Sequence, residues 1–476
     1  MPLRRLAQRR PDQLDRRGDH RQGRPGEAAR AGAVLTARAT QATLSPLPPG
    51  DSGIVSARTG PDLAAAGYTE TEHVASGTAV SYAADDLPAD GHWSLRPAGS
   101  ADYVTRVVVR RPDPAGASGT LVVEWLNVSS GMDAAPGWTF FADEVVRRGH
   151  AYAAVSAQHA GVEGGLSSVS VGDIGSPGLK GGNPERYGDL AHPGDAFAYD
   201  LYTQVARAVA ADLGATCVLA TGESQSAFAL TSYVNGVQPL EGLFDGLLIH
   251  SRGGAALPLG RAGAGLAMTE VITGTPTRLR TDLDAPVLVV QTETDLFGHL
   301  AYLPARQPDH ERLRTWEIAG AAHADKFVIG DFESFLGCAE PVNRGQQVFV
   351  VRAALHHLER WARGGSVPPA AAPLEVEGDG YALDQVGNAR GGVRTPAVEA
   401  PVEILSGLGV PGASNICRLF GSTAPLPPER VAELWPDAES YRTAYAAATT
   451  AAVEAGFVLP EDRDELLADS RDDLLA

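Results

Sequence analysis

Thr216-Cys217-Val218-Leu219-Ala220-Thr221-Gly222-Glu223-Ser224-Gln225-Ser226-Ala227-Phe228-Ala229-Leu230 is the stretch whose reading decides the fold. A short apolar run leads into Gly-Glu-Ser-Gln-Ser, and an Ala- and Leu-containing run continues at helical spacing. This predicts a strand, a sharp turn and a helix, with Ser224 at the apex and its hydroxyl held above a sheet. The backbone N–H groups beside such a serine point to where an oxyanion forms. Small residues flank the turn, Gly222 before it and Ser226 and Ala227 after it, as required where strand and helix pass close together. The commoner pattern has glycine where this chain has Ser226. The competing reading is an ordinary strand-to-helix turn in which Ser224 serves only as an N-cap.

The downstream sequence argues for chemistry. The apolar run Ala285-Pro286-Val287-Leu288-Val289-Val290-Gln291 predicts a buried strand. It ends in Thr292-Glu293-Thr294-Asp295-Leu296, a carboxylate-bearing loop. Thr315-Trp316-Glu317-Ile318-Ala319-Gly320 predicts a further strand, followed by Ala321-Ala322-His323-Ala324-Asp325. Ser224, Asp295 and His323 therefore stand in the order nucleophile, acid, histidine that α/β-hydrolases use. Each follows a predicted strand, where open α/β sheets place their sites. The expected fold class is α/β: an α/β-hydrolase fold, with a mostly parallel central sheet flanked by helices, long loop or cap insertions and a C-terminal extension.

With 476 residues the chain is long enough for a large core. Its net charge of −19 disfavours nonspecific binding to nucleic acid or an anionic membrane. Lysine occurs only at Lys180 and Lys326, so arginine carries the positive charge. No window holds the roughly 18 apolar residues of a membrane span. Cys217, Cys338 and Cys417 form no CxxC pair, which disfavours a cysteine zinc site; a Cys338–Cys417 bridge is open, because Cys217 falls in the predicted core strand. The expected location is cytoplasmic, with secretion open if the true start lies near residue 40. The oligomeric state is not legible.

Residues 1–48 are arginine-dense without apolar periodicity and read as a disordered extension. Residues 49–425 read as the hydrolase domain, with insertions at 158–194 and 252–283. Residues 426–476 read as a helical segment packed on the same domain. Strands are expected at Ala79–Tyr82, Tyr103–Arg110, Thr120–Leu126, Ala151–Ser156 and Phe244–His250. The alternating arginines of Tyr103–Arg110 suit an exposed early strand. Helices are expected at Trp138–Arg148, Asp195–Leu213, Asn343–Arg363 and over 428–473. The loop Asn127-Val128-Ser129-Ser130-Gly131-Met132-Asp133, small and polar after a central strand, suits the second oxyanion donor.

Several phrases carry a resemblance. They are Tyr103-Val104-Thr105-Arg106-Val107-Val108-Val109-Arg110-Arg111-Pro112, Val123-Glu124-Trp125-Leu126-Asn127-Val128-Ser129, Thr221-Gly222-Glu223-Ser224-Gln225-Ser226-Ala227 and Gly391-Gly392-Val393-Arg394-Thr395-Pro396. Through them the chain resembles a bacterial family of alpha/beta hydrolase domain proteins over roughly residues 50–425. Ser226 is normal for that family. The resemblance implies the fold and says little about substrate.

The expected activity is carboxylic ester hydrolysis through an acyl-enzyme on Ser224, with His323 as base and Asp295 as orienting acid. The backbone N–H of Gln225 and one at Asn127 or Val128 would bind the oxyanion. No metal or organic cofactor is required, and the expected partner is a small-molecule ester. The alternative is a non-catalytic or non-hydrolytic protein on this fold, lyase-like or ligand-binding. Ser226 is a rival nucleophile, Glu293 a rival acid and His250 a rival base, while Asp325 is too near His323 in sequence to be its partner. His159 and His192 read as surface histidines, and His356 and His357 as structural ones on a helix. Glu223, Arg252 and Arg394 are possible substrate-binding residues. For Arg394, the paired glycines before it equally suit a structural tie to the core.

Overall fold

The computed structural model describes residues 40–56, 58, 60–166, 175–267, 271–410 and 412–475. Nine strands form its main sheet: β1 (Thr43–Pro46), β2 (Tyr68–Ala83), β3 (Arg96–Pro112), β4 (Thr120–Trp125), β5 (Ala151–Val155), β6 (Cys217–Glu223), β7 (Gly246–His250), β8 (Val287–Thr292) and β9 (Leu313–Ile318). Their spatial order is β1-β2-β3-β5-β4-β6-β7-β8-β9. The first three join antiparallel, as does β3 to β5. From β5 to β9 every pairing is parallel.

The parallel strands are buried on both faces, which explains their near-continuous apolar sequences. Side chains alternate between two cores. Leu121, Val123 and Trp125 of β4 share one core with helix α2 (Ala198–Leu213) and helix α3 (Gln225–Ser232). Trp125 packs its indole against Tyr199 and Tyr202 of α2, with ring centroids 5.5 and 4.8 Å apart. Val122 faces the other core, with helix α1 (Pro136–Arg147) and helix α4 (Gln347–Ala362). The doubly covered sheet puts all the parallel strands' C-terminal ends on one edge, and the candidate site lies there.

Several expectations change. Residues 43–46, assigned to the disordered extension, pair with β2 as an edge strand; residues 1–39 lie outside the described residues. β2 and β3 are long partners in one antiparallel ribbon, far beyond the short runs expected. Arg106, expected on an exposed strand, is fully buried. Its guanidinium reaches Ser156 Oγ at 2.8 Å and Asp133 at 2.5 Å, because β3 is covered on both sides. The single helical stretch expected over 428–473 is three helices, Pro428–Leu434, α5 (Ala438–Glu454) and α6 (Arg463–Ala468). Ala452 of α5 and Leu466 of α6 belong to the same core as α4. Cys338 and Cys417 form a disulfide, and Cys217 is buried in β6. No helix among the described residues is long and apolar enough to cross a membrane.

The C-terminal segment also ties onto the sheet. Val393 makes a parallel bridge to Ile318 at the end of β9, with Ala319 N donating to Val393 O and Val393 N to Glu317 O. Gly391 and Gly392 precede it at φ 76° and 69°. A Cβ on Gly392 would lie 2.6 Å from the Glu317 carbonyl oxygen, so this approach requires glycine. The segment covers the C-terminal end of the sheet's last strand.

Candidate active site

The turn between β6 and α3 is built by its small residues. Ser224 sits at φ 57° and ψ −118°, outside the regions a serine normally occupies. The Ser226 hydroxyl donates to the Glu223 carbonyl at 2.8 Å and accepts from the Glu223 N–H at 3.0 Å, which ties the strained turn closed. Ser226 is fully buried in this role and does not face the site edge, whereas Ser224 is partly exposed. Ser224 N donates to His250 O at 3.0 Å, fixing the turn to β7.

Ser224 Oγ lies 2.7 Å from His323 Nε2, and His323 Nδ1 lies 2.7 Å from Asp295 Oδ1. Asp295 is fully buried, and its other oxygen accepts from Thr292 N at 2.6 Å and Thr292 Oγ1 at 3.0 Å, so Thr292 orients the carboxylate toward the ring. The His323 backbone N–H donates to Thr294 Oγ1 at 3.0 Å, locking the two loops together. Burial acts to lower the His323 pKa; the hydrogen bond and charge of Asp295, together with Glu223, outweigh it and hold the ring above its ordinary value. The arrangement is a hydrogen-bonded chain from a serine hydroxyl through an imidazole to a buried carboxylate.

An alpha/beta hydrolase domain family model matches residues 43–468. The chain belongs to that family. The match runs past residue 425, so the family's domain includes α5 and α6. No curated protein matches the sequence. Among solved structures, the chain is similar to a lidless serine hydrolase from Xanthomonas campestris at 12% identity, covering 45% of this chain and 78% of that one, with a TM-score of 0.26. A fungal esterase from Rhizomucor miehei is similar at 12% identity over 64% and 86%, TM-score 0.32. A poly(3-hydroxybutyrate) depolymerase from Bordetella parapertussis is similar at 17% over 48% and 67%, TM-score 0.23. None of these likenesses bears on the chemistry of this chain.

In this alpha/beta hydrolase domain the rival residues are engaged elsewhere. The Glu293 carboxylate accepts from Gly320 N at 2.6 Å and Gly407 N at 2.9 Å, and burial raises its pKa to about 7. His250 Nε2 lies 3.3 Å from Gln347 Oε1 and its ring packs edge-on against Phe140; burial lowers its pKa to about 4. Asp325 caps its helix through Val328 N and accepts from Gln347 Nε2 at 2.9 Å. His192 is buried, contrary to expectation: its Nε2 meets Ala157 O at 2.9 Å and its Nδ1 accepts from Gly194 N, so it shapes the loop beside it. The His159 ring is 5.9 Å from that of His192. His356 and His357 bind Glu144 and the Gly456 carbonyl.

The sequence offers Asn127 or Val128 as the second backbone donor, and the structure separates the two. Asn127 N donates to Ala134 O at 2.9 Å, so that amide is consumed by the loop itself. Val128 N donates to Gln225 Oε1 at 3.3 Å. Trp125 Nε1, which can only donate, bonds Gln158 Oε1 at 3.0 Å, and Gln225 Nε2 donates to the same oxygen at 2.7 Å. This chain of donors fixes both amide orientations and leaves the Gln225 carbonyl oxygen facing Val128. The Gln225 backbone N–H opens α3, where no preceding helical carbonyl can accept it. The Gln158–Gln225 relay was not read from the sequence; a glutamine following β5 and another following the serine were its only local signs.

Arg252 and Arg394 do not serve as free cations. Arg252 is 1% exposed and donates to the carbonyls of Gly253, Gly254 and Thr277, which gathers the loop after β7; burial lowers its pKa to about 10. Arg394 pairs with Asp384 and Glu399 and donates to the Ala389 and Val398 carbonyls, making it the structural tie. Glu223, by contrast, does face the relay. Its Oε1 lies 3.7 Å from His323 Nε2, while Asn127 Nδ2 donates to Oε2 at 3.4 Å and to its carbonyl at 3.1 Å.

Proposed function

We propose that the protein is a serine hydrolase acting on carboxylic esters. The observation that carries this reading is the pair of 2.7 Å contacts joining Ser224 Oγ, His323 and Asp295. His323 Nε2 takes the Ser224 proton as Oγ bonds to the ester carbonyl carbon. The oxyanion forms beside the Gln225 N–H, with Val128 N–H as second donor once Gln225 Oε1 yields it. One such donor is worth about 2.7–4 kcal/mol. Collapse breaks the ester C–O bond, and the imidazolium returns the proton to the departing alcohol. Water, deprotonated by His323, then cleaves the acyl-enzyme, releasing the acid and restoring Ser224. Asp295 holds the Nδ1–H tautomer and stabilises the imidazolium throughout. The substrate is a small ester.

Intact-mass measurement and peptide mapping after treatment with a fluorophosphonate probe test this reading. The expected result is a single adduct on Ser224, absent in Ser224→Ala, together with ester turnover that the same variant loses at an unchanged circular dichroism spectrum. Ester turnover retained by Ser224→Ala would overturn it.

A further inference from the structure

Glu223 is a second carboxyl on the catalytic histidine, and the hydrolytic mechanism leaves it without a task. Asp295 approaches the ring at Nδ1, at 2.7 Å. Glu223 Oε1 approaches the opposite nitrogen, Nε2, at 3.7 Å. That is outside hydrogen-bond range and inside ion-pair range. Nε2 is the nitrogen that must be unprotonated to receive the Ser224 proton. The Glu223 side chain has little freedom to leave: it is buried, its backbone is clamped by Ser226 Oγ on both N–H and C=O, and Asn127 Nδ2 holds Oε2.

The groups around it set the electrostatics. His323 favours the ionised carboxylate, Asp295 and the Glu124 carboxyl of the neighbouring strand oppose it, and the Asn127 amide favours it. His250, its register partner on β7, is held neutral by burial at ordinary pH. Burial dominates and pushes Glu223 up to about 8. Glu223 and His323 therefore titrate as a coupled pair. One shared proton has two placements. On Glu223, it leaves a neutral ring able to accept from Ser224. On His323, it leaves an ion pair whose Nε2 is already protonated.

We propose that Glu223, when ionised, holds His323 in the imidazolium form and so sets the pH at which Ser224 is released as a nucleophile. This rests on the reading of Ser224, His323 and Asp295 as the hydrolytic relay. Removing the charge lowers the affinity of His323 for its proton, so the site opens at lower pH.

The test compares wild type with Glu223→Gln, which keeps the shape, and Glu223→Ala, which removes the carboxyl by another route; both are checked by circular dichroism. Two readouts are taken across pH 5–10. The first is the nitrogen chemical shift of the His323 ring in uniformly labelled protein, assigned by its loss in His323→Gln. The second is the rate of fluorophosphonate labelling of Ser224. In both variants the His323 titration is expected to move down by about one pH unit, the low end for a charge within about 4–6 Å. The acid limb of the labelling rate should move with it, raising labelling on that limb about tenfold. An unmoved or raised His323 titration overturns the proposal, as does a labelling rate that falls equally at every pH, which a purely structural role would give. Absence of labelling in wild type with a shifted His323 titration would overturn the hydrolytic reading and leave the pairing standing.

Discussion

A methyl group placed on Gly222 would lie 2.9 Å from the carbonyl oxygen of Ser226. Strand β6 and helix α3 are that close where the chain reverses at Ser224. Gly222→Ala therefore overpacks the elbow, at a cost of about 1–3 kcal/mol. Urea denaturation should show the lower midpoint, and labelling of Ser224 should slow in the folded fraction. An unchanged midpoint would mean that the turn relaxes freely and that its geometry is not set by this contact.

The two carboxylates of the acid loop divide their work. Asp295→Asn leaves the loop's shape but offers the ring an amide in place of a charge; turnover should fall about 10,000-fold with little change in stability. Glu293→Gln weakens the acceptor for Gly320 N and Gly407 N, and should lower the denaturation midpoint while the remaining folded enzyme keeps most of its turnover. Steady-state kinetics and melting curves on both variants check the division. The reverse pattern would move the acid role to Glu293.

Gln158 touches none of the reacting atoms in the relay, yet it holds the Gln225 amide that sets Val128. Gln158→Leu removes the acceptor shared by Trp125 and Gln225. Without that anchor the Val128 N–H is no longer held in place when Gln225 Oε1 gives it up, so kcat should drop between about 10- and 100-fold, with KM changed less. A KM effect alone would assign the relay to ground-state binding of the substrate.

Stability should fall as pH rises toward 7–8. Burial raises Glu124, Glu293 and Asp325 to about 7 and Glu223 to about 8. A carboxyl raised in the folded state stabilises fully below its unfolded value, about 4, and that contribution is lost as pH rises through 7–8. His150 and His250, lowered to about 4 by burial, work the other way: their contribution is present above about 6.5 and is lost as pH falls toward 4. The two sets oppose each other below about 6.5, so the fall is steepest just above it. Glu124→Gln, which removes the titrating carboxyl and keeps one of the two oxygens that accept from Gly137 N and Trp138 N, should lower stability at pH 5 and flatten that fall in urea titrations at pH 5, 6.5 and 8. An equally steep fall in the variant would locate the proton uptake elsewhere.

The elbow and the parallel strands were legible because their signals are local: apolar runs of strand length, small residues at one turn, polar loops at strand ends. The choice between Glu293 and Asp295 was not, since the two stand two residues apart and Thr292, by hydrogen-bonding one carboxylate, decides which faces the ring. The choice between Asn127 and Val128 was not legible for a similar reason. Sequence marks a small, polar loop but does not show that Asn127 N folds back onto Ala134 O, or that a glutamine side chain covers Val128. Arg106 looked like a surface residue because its partners, Glu72, Asp133 and Ser156, come from three separate elements. The role of Arg394 turned on Gly391 and Gly392, whose backbone approach to Glu317 and Pro373 leaves no trace in periodicity.

The Val393–Ile318 bridge has a bearing on synthesis. The acid loop is held from beyond it, through Gly407 N on Glu293 and Thr294 Oγ1 on Gly407 O, and the histidine loop through Ala324 N on Leu419 O. A nascent chain that has just cleared the ribosome at residue 330 already holds serine, carboxylate and imidazole and the Thr294–His323 tie between two of their loops, yet lacks the outer anchors at Gly407 and Leu419. Those anchors arrive only with roughly the last seventh of the chain, so a prematurely terminated product is expected to hold the two loops from one side alone.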